Sequence, residues 1–451
     1  MSTRKYEMDM TDGGLVVKIL IFSLPLILSG MLQLLFNAAD VVVVGRFAGE
    51  SALAAVGAPG PVINLLTNVF MGLSVGTNVL AARYIGAGKS EQVSDVVHTS
   101  VLFSFLCGIA LAVIGIAVAK PIMEMMGTPD DVIDQTVLYM RIYFAGMPVV
   151  MLYNFCYAIM RAMGDTRRPM YYLVIAGIIN VVLNVIFVTV FHMDVAGVAL
   201  ATIISQAISA VLIIRCLCRI EGSCRLDLKR LRIHMPTLGQ MVAIGLPAGL
   251  QGSLFSISNV LIQSSINLFG KMAMAGNAAA GNLEGFVYIS MNSVHQTAQT
   301  FISQNYGAAK FDRIKRSFFI CLAAVSIIGL GLGNILVAFG QTLLRIYSDS
   351  PEVISYGVKR LHYVCTLYFL CGVMEVVVGA IRGLGSSVVP MLVSLAGACG
   401  LRILWIYTVF AMNPTLETLY ISYPVTWFIT VAAQCIVFMI VFGKCKRRAF
   451  V

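Results

Sequence analysis

The chain has 451 residues, of which 59% are hydrophobic and only 12% charged, and its mean hydropathy is +0.89. A water-soluble fold needs more charge to cover its surface, so composition excludes a soluble enzyme or binding domain and points to helices in a bilayer. The formal charge of +10 would suit nucleic acid if it formed one patch, but it is spread in short groups between apolar runs.

Hydrocarbon about 30 Å thick takes about 20 apolar residues per helix. Twelve such runs can be placed, at about 15–45, 54–82, 94–119, 131–160, 169–191, 195–218, 238–269, 273–304, 314–343, 353–381, 389–411 and 417–443. No short alternating strands suggest a β-barrel. The first run is too long for a signal-peptide core and has no small-residue cleavage site, so it is expected to remain as a helix. Bases gather in alternate loops: Arg4 and Lys5, Arg83 and Lys89, Arg167 and Arg168, Arg219 to Arg232, Lys310 to Arg316, and Lys444 to Arg448. The other loops hold few bases, and acids such as Asp130, Asp131, Asp349 and Glu352. The positive-inside rule then gives a multi-pass protein of the cell (inner) membrane with both termini cytoplasmic. The basic charge is topological, and no nucleic-acid partner is expected. The eleven cysteines are scattered, and Cys216 and Cys218 have no second pair at metal-ligand spacing. They read as small apolar packing residues.

The chain repeats itself. "SLPLILSGMLQLLFNAAD" from Ser23 compares with "GLPAGLQGSLFSISNVLI" from Gly245, "YIGAGKSEQ" from Tyr84 with "NYGAAKFDR" from Asn305, and "IMRAMGDTRRPM" from Ile159 with "AIRGLGSSVVPM" from Ala380. All three matches keep an offset of 221 or 222 residues. The expected organisation is a six-helix lobe over 1–218, a basic linker over 219–237, a second six-helix lobe over 238–443 and a basic tail over 444–451. Six spans per lobe give both the same orientation, which makes them parallel repeats. This is the plan of transporters that rock one half against the other around a central cavity.

Intramembrane polar residues are costly and tend to face protein or water. In span 1, Gln33, Asn37 and Asp40 form one helical stripe. Asn154, Tyr157 and Arg161 align in span 4, Asn180 and Asn184 in span 5, Thr202 and Gln206 in span 6, and Gln251, Ser258 or Asn259, and Gln263 in span 7. Span 8 is richest, with Glu284, Tyr288, Asn292, His295 and Gln299 on one side. Lone amides and hydroxyls commonly bond between helices, but stripes that include a carboxylate read as cavity lining. Asp40 can avoid its desolvation cost by taking a proton or by binding a hard cation such as Na⁺ with amide and hydroxyl oxygens. Its charge then follows an ion gradient, and Asp40 becomes the coupling group. Glu375 and Arg402 form a candidate ion pair; alternatively Glu284 or Glu375 meets a cationic substrate. His98 and His295 read as hydrogen-bonded structural residues. The 24 methionines read mostly as core or lipid-facing residues. Pro25 leaves carbonyls free inside span 1 and would let it bend.

No P-loop, H-E-x-x-H or G-x-S-x-G is present, so the chain is not expected to be an enzyme. Uphill transport would have to draw on an ion gradient.

Taken in order, the Pro25 helix, "AADVVVVGRFAG", "GAGKSEQ", "MRAMGDTRRPM", "NVVLNVIF", "GVALAT", "QNYGAAKFDRI" and "AIRGLGSSVVPM" make the chain resemble the multidrug and toxic compound extrusion (MATE) transporters over nearly its whole length. The resemblance implies two six-helix lobes around a central cavity. It also implies export of cationic or amphipathic drugs in exchange for H⁺ or Na⁺ by alternating access, with no other cofactor. It implies a cation site at Asp40, Asn180, Asn184 and Thr202, which would ligate metal only if the ion is Na⁺. Some relatives have a second acid where this chain has Asn184, so H⁺ and Na⁺ both stay open. Glu284 and Glu375 are expected to serve the C-terminal lobe. The remaining partners are membrane lipids, and a monomer is expected. A lipid-linked precursor flippase is the alternative, but it would need a strongly cationic cavity, and the N-lobe stripes are acidic or neutral.

Overall fold

The computed structural model describes residues 7–449, which are helical with no strand among them. Arg4 and Lys5, counted above with the cytoplasmic bases, and the last two residues of the tail lie outside the described residues. The first half contains α1 (Leu15–Val43), α2 (Glu50–Gly57), α3 (Gly60–Gly86), α4 (Ser90–Met125), α5 (Asp130–Ala145), α6 (Met147–Ala162), α7 (Arg167–Val185) and α8 (Asp194–Arg219). The second contains α9 (Met235–Asn267), α10 (Lys271–Gly307), α11 (Phe311–Leu344), α12 (Pro351–Cys365), α13 (Phe369–Gly383), α14 (Val388–Ser394), α15 (Leu401–Trp405) and α16 (Leu416–Ala449). Wider π-helical turns extend α1 over Val44–Ala48 and α7 over Ile186–Val190, and flank α15 at Leu395–Gly400 and Ile406–Phe410.

These helices form the all-α, twelve-span, two-lobed architecture. Among the described residues, nine helices are long and apolar enough to cross a membrane alone. The pairs α5–α6 and α12–α13 make two more, bent by 46° and 47°. The sequence reading placed each pair as a single run, 131–160 and 353–381. Pro148, in the first turn of α6, lacks the N–H that would carry the helix across the first break. The twelfth, α10, is 37 residues long but too polar to join the apolar set. It holds its place by burying Asn277, Glu284, His295 and Gln299. The outer faces of other spans stay apolar: Val113, Val211, Ile327 and Phe339 are each at least 60% exposed. Large apolar side chains left uncovered on many helices are what a lipid environment would cover. The eleven cysteines are free thiols.

Contacts divide the chain into two units, one of Met1–Asp9 with Leu24–Ser253, the other of Met10–Ser23 with Leu254–Val451. The change of unit therefore falls inside α1 and inside α9 rather than in the basic linker. In the first unit the reason is close backbone approach. A Cβ on Gly72 of α3 would lie 2.2 Å from the Cα of Gly249 in α9, and one on Gly76 would lie 2.1 Å from the Met241 carbonyl oxygen. Small residues of this kind let membrane helices touch backbone to backbone. In the second unit, Phe22 at the start of α1 meets Phe301 edge-on at 5.6 Å. Arg313 of α11 also donates to the Met10, Asp12 and Gly13 carbonyls at 3.0, 2.9 and 2.9 Å. His98 holds Asp227 N–H at 3.1 Å through Nε2, in keeping with a structural role.

Candidate functional site

The first unit gathers four polar side chains from three helices. Gly177 of α7 sets the register, because a Cβ there would fall 1.9 Å from the Phe36 ring of α1. One turn beyond Phe36 stands Asp40; one and two turns beyond Gly177 stand Asn180 and Asn184. Asn184 Nδ2 donates to Asp40 Oδ1 and, at 3.4 Å, to Asn180 Oδ1. Asn180 Nδ2 donates to Thr202 Oγ1 at 3.5 Å, and Thr202 gives its own proton to the Val198 carbonyl of α8 at 3.0 Å. Asn184 is completely buried and Asn180 nearly so. Val43, Val44, Val188, Val195 and Val198 form an apolar collar, against which Tyr139 of α5 packs. The sequence reading did not single out Tyr139; an aromatic among apolar neighbours gives no signal until the fold brings it there.

One atom in this cluster is out of balance. Asn184 Oδ1 is buried and has no hydrogen-bond partner. A buried polar atom without a partner costs about 1–3 kcal/mol. A small hard cation would relieve that cost. Asp40, Asn180, Asn184 and Thr202 supply only oxygens, one of them charged, the donor set that alkali cations favour over softer metals. The orientation of an amide is assigned from its bonds, so Asn184 can turn its oxygen toward the Asp40 side when a cation replaces the N–H. A proton on Asp40 would meet the same group of acceptors. The residues therefore fit either ion.

Other expected lining residues lie apart from this cluster. Gln33 and Asn37 are exposed on α1. Asn154 bonds back to the Val150 carbonyl of its own helix at 2.8 Å. Tyr157 stacks on Tyr153 at 5.9 Å, with Arg161 4.9 Å over its ring. Gln206 is half-buried, and Gln251 is buried in the first unit.

In the second unit the expected Glu375–Arg402 pair does not form. Close approach of α13 to α10 at Gly379, where a Cβ would be 2.8 Å from the His295 carbonyl, sets Glu375 opposite His295 instead. His295 Nδ1 lies 2.5 Å from the Glu375 carbonyl oxygen and 3.7 Å from its carboxylate. Glu284 is spoken for as well. Arg360 grips both its oxygens at 2.7 Å and also donates to Asn277 Oδ1 at 2.5 Å. Sequence reading missed Arg360, which lies 76 positions from its partner. Tyr288 is 38% exposed, and Asn292 accepts from Gln296 at 2.7 Å.

A helical membrane chain of two six-span lobes, with a carboxylate in an amide pocket, has the architecture that the sequence reading expected of a transporter. The MatE family pattern matches residues 25–186 and again 247–408, and the chain belongs to the MatE family of multidrug efflux transporters. The two matches stand 222 residues apart at both ends, which is the repeat seen in the sequence. The chain is similar to the probable multidrug resistance protein YoeA of Bacillus subtilis, with 28% identity over 85% of this chain and 84% of that protein. It is similar to an FAD transporter of Shewanella oneidensis, with 25% identity over 74% and 75% of the two chains. Its fold matches a MOP superfamily transporter structure from Pyrococcus furiosus, at a TM-score of 0.91 and 20% identity over 99% and 98% of the chains.

Proposed function

We propose that this protein is an ion-coupled antiporter that exports cationic or amphipathic small molecules by alternating access, with H⁺ or Na⁺ as the driving ion. The observation that carries the reading is the Asp40 cluster, where a carboxylate and an unpartnered Asn184 oxygen sit in one apolar collar. Ion entry at Asp40 and cargo binding oppose each other, and linkage requires each to weaken the other by the same coupling energy. Outward-facing protein takes the ion and releases cargo; inward-facing protein releases the ion and takes cargo from the cytoplasm or inner leaflet. Pro25 supplies the flexible point in α1 between the helix start and Asp40. We place the protein in the cell membrane as a monomer, in contact with lipid, with both termini cytoplasmic. The flippase alternative gains no support from the similar proteins.

The test is purified protein in liposomes with a fluorescent cationic dye, under a Na⁺ gradient or a pH gradient, each imposed alone. Dye movement driven by one gradient, and lost in Asp40→Asn, is the expected result. Equal gradient-driven movement by wild type and Asp40→Asn would overturn the coupling role of Asp40.

A further inference from the structure

The repeat offers a comparison between the lobes. Pro169 and Pro390 are 221 positions apart, yet the family match ends at residues 186 and 408, an offset of 222. The π-helical turn Leu395–Gly400 lies in the second copy between Pro390 and Arg402. A π turn is how a helix absorbs an added residue without breaking. At the 222-residue offset between the two family matches, Arg402 falls at the place of Asn180, Ile406 at that of Asn184, and Ile262 at that of Asp40. The second lobe thus replaces the acid of the first with an isoleucine and puts a guanidinium where the first has a cation-site amide.

Arg402 is not accounted for by its surroundings. Its side chain is only 5% exposed. Its single described hydrogen bond runs from Nη2 to Thr426 Oγ1 at 3.2 Å, and its Cζ lies 4.2 Å from the centre of the Tyr423 ring. Nε is buried with no partner. Among the described residues, no carboxylate lies within ion-pair distance of Arg402. Arginine stays charged in proteins, and a buried charge without a counter-ion costs several kcal/mol. Arg360 shows the contrast within the same unit. It too is buried, but it has both Glu284 oxygens, Asn277, and the faces of Tyr420 and Tyr423. Arg360 is saturated, whereas Arg402 has donors to spare.

We propose that the second unit holds an oxyanion subsite at Arg402, which takes a carboxylate or phosphate group of the transported molecule. The inference rests on the transport reading only for the source of that group. The planar fork suits both oxyanions, Thr426, whose hydroxyl donates to the Ser422 carbonyl at 2.7 Å, steadies Nη2, and Tyr423 backs the guanidinium. Cargo with one basic and one acidic group would then be held in preference to a simple cation.

The test uses the purified full-length protein titrated with inorganic phosphate and with acetate at constant ionic strength. It reads the thermal midpoint and the emission of Trp427, whose ring lies 5.6 Å from that of Tyr423. Wild type is expected to show a saturable response in both signals. Arg402→Gln should lose it, and Arg402→Lys, which keeps the charge without the fork, should need about tenfold more anion, equal to about 1.4 kcal/mol. If Arg402→Gln does not fold, the lysine variant and Thr426→Val supply the shifted titration. A response that persists unchanged in the Arg402 and Thr426 variants belongs to surface bases and overturns the subsite, as does no response in wild type. Failure of the transport reading would appear separately, as a wild-type protein that moves no dye under either gradient while its anion titration stays intact.

Discussion

Asn184 of α7 donates its amide N–H to the Asp40 carboxylate of α1 and leaves its own oxygen buried without a partner. One oxygen of the acid thus has a donor, while the amide's oxygen has none. That asymmetry makes the two positions separable by mutation. Asp40→Asn removes the charge but keeps an amide-to-amide bond, so folding should persist while coupled transport is lost. Asn184→Asp adds a second acid at a site already built from oxygens. We expect it to tighten Na⁺ binding by at least about tenfold, or about 1.4 kcal/mol. Na⁺-dependent thermal shifts on both variants check this, and an unchanged Na⁺ response in Asn184→Asp would remove the cation from this cluster.

Pro25 lies inside α1, fifteen residues before Asp40, and its missing N–H leaves the carbonyl one turn back without its helical donor. Pro25→Ala restores that bond and stiffens the helix. The expected outcome is unchanged ion binding and unchanged or higher thermal stability, with slower dye efflux. Efflux at the wild-type rate would show that α1 need not bend at this point.

Polar residues at helical spacing stand out against an apolar run, so the Asn180–Asn184 stripe and Asp40 were each legible in the amino-acid sequence. That they and Thr202 share one site was implied by the family resemblance alone, and spacing grouped Asp40 with Gln33 and Asn37, which lie exposed. The same contrast drew attention to α10, whose polar face proved too extensive for a simple apolar span. What stayed hidden depends on contacts between distant segments. Arg360 sits in a short helix beside other polar residues, where a base needs no special partner, and nothing local tells that it reaches Glu284. Glu375 and Arg402 looked like partners because both are charges in neighbouring spans, but the Gly379 contact turned Glu375 toward His295. The breaks at Gly146 and beyond Cys365 were missed because hydropathy continues across them. Apolar composition records where lipid is, and says little about where a helix bends.

Glu284 and Arg360 should behave as a structural pair. Breaking a buried ion pair from one side leaves a charge uncompensated, at a cost of about 3–5 kcal/mol. Glu284→Gln should accordingly lower the thermal midpoint sharply, although the carboxamide keeps the shape of the acid. Combining it with Arg360→Met removes the stranded charge, and the double variant should recover most of the loss. Midpoints compared at one scan rate suffice, since unfolding of such proteins is commonly irreversible. If Glu284→Gln instead keeps full stability and selectively weakens cationic-dye binding, Glu284 meets cargo after all.

Gly249 and Gly252 lie three residues apart on α9 and should respond in opposite ways to alanine. A Cβ on Gly249 would stand 2.3 Å from the Val69 carbonyl oxygen, and only backbone movement could relieve it. A Cβ on Gly252 meets Asn68 side-chain atoms no closer than 3.6 Å, which is ordinary contact. Alanine is favoured over glycine in a helix by about 1 kcal/mol, so Gly252→Ala should be neutral or stabilising. Gly249→Ala gains the same propensity but must part α3 from α9, and overpacking of this kind costs about 1–3 kcal/mol or more. The net loss should show as a lower thermal midpoint for Gly249→Ala and for its facing partner Gly72→Ala. The double variant should cost less than the sum of the two, because once the helices have parted for one methyl the second finds room. Strict additivity would mean that the two glycines do not share a contact.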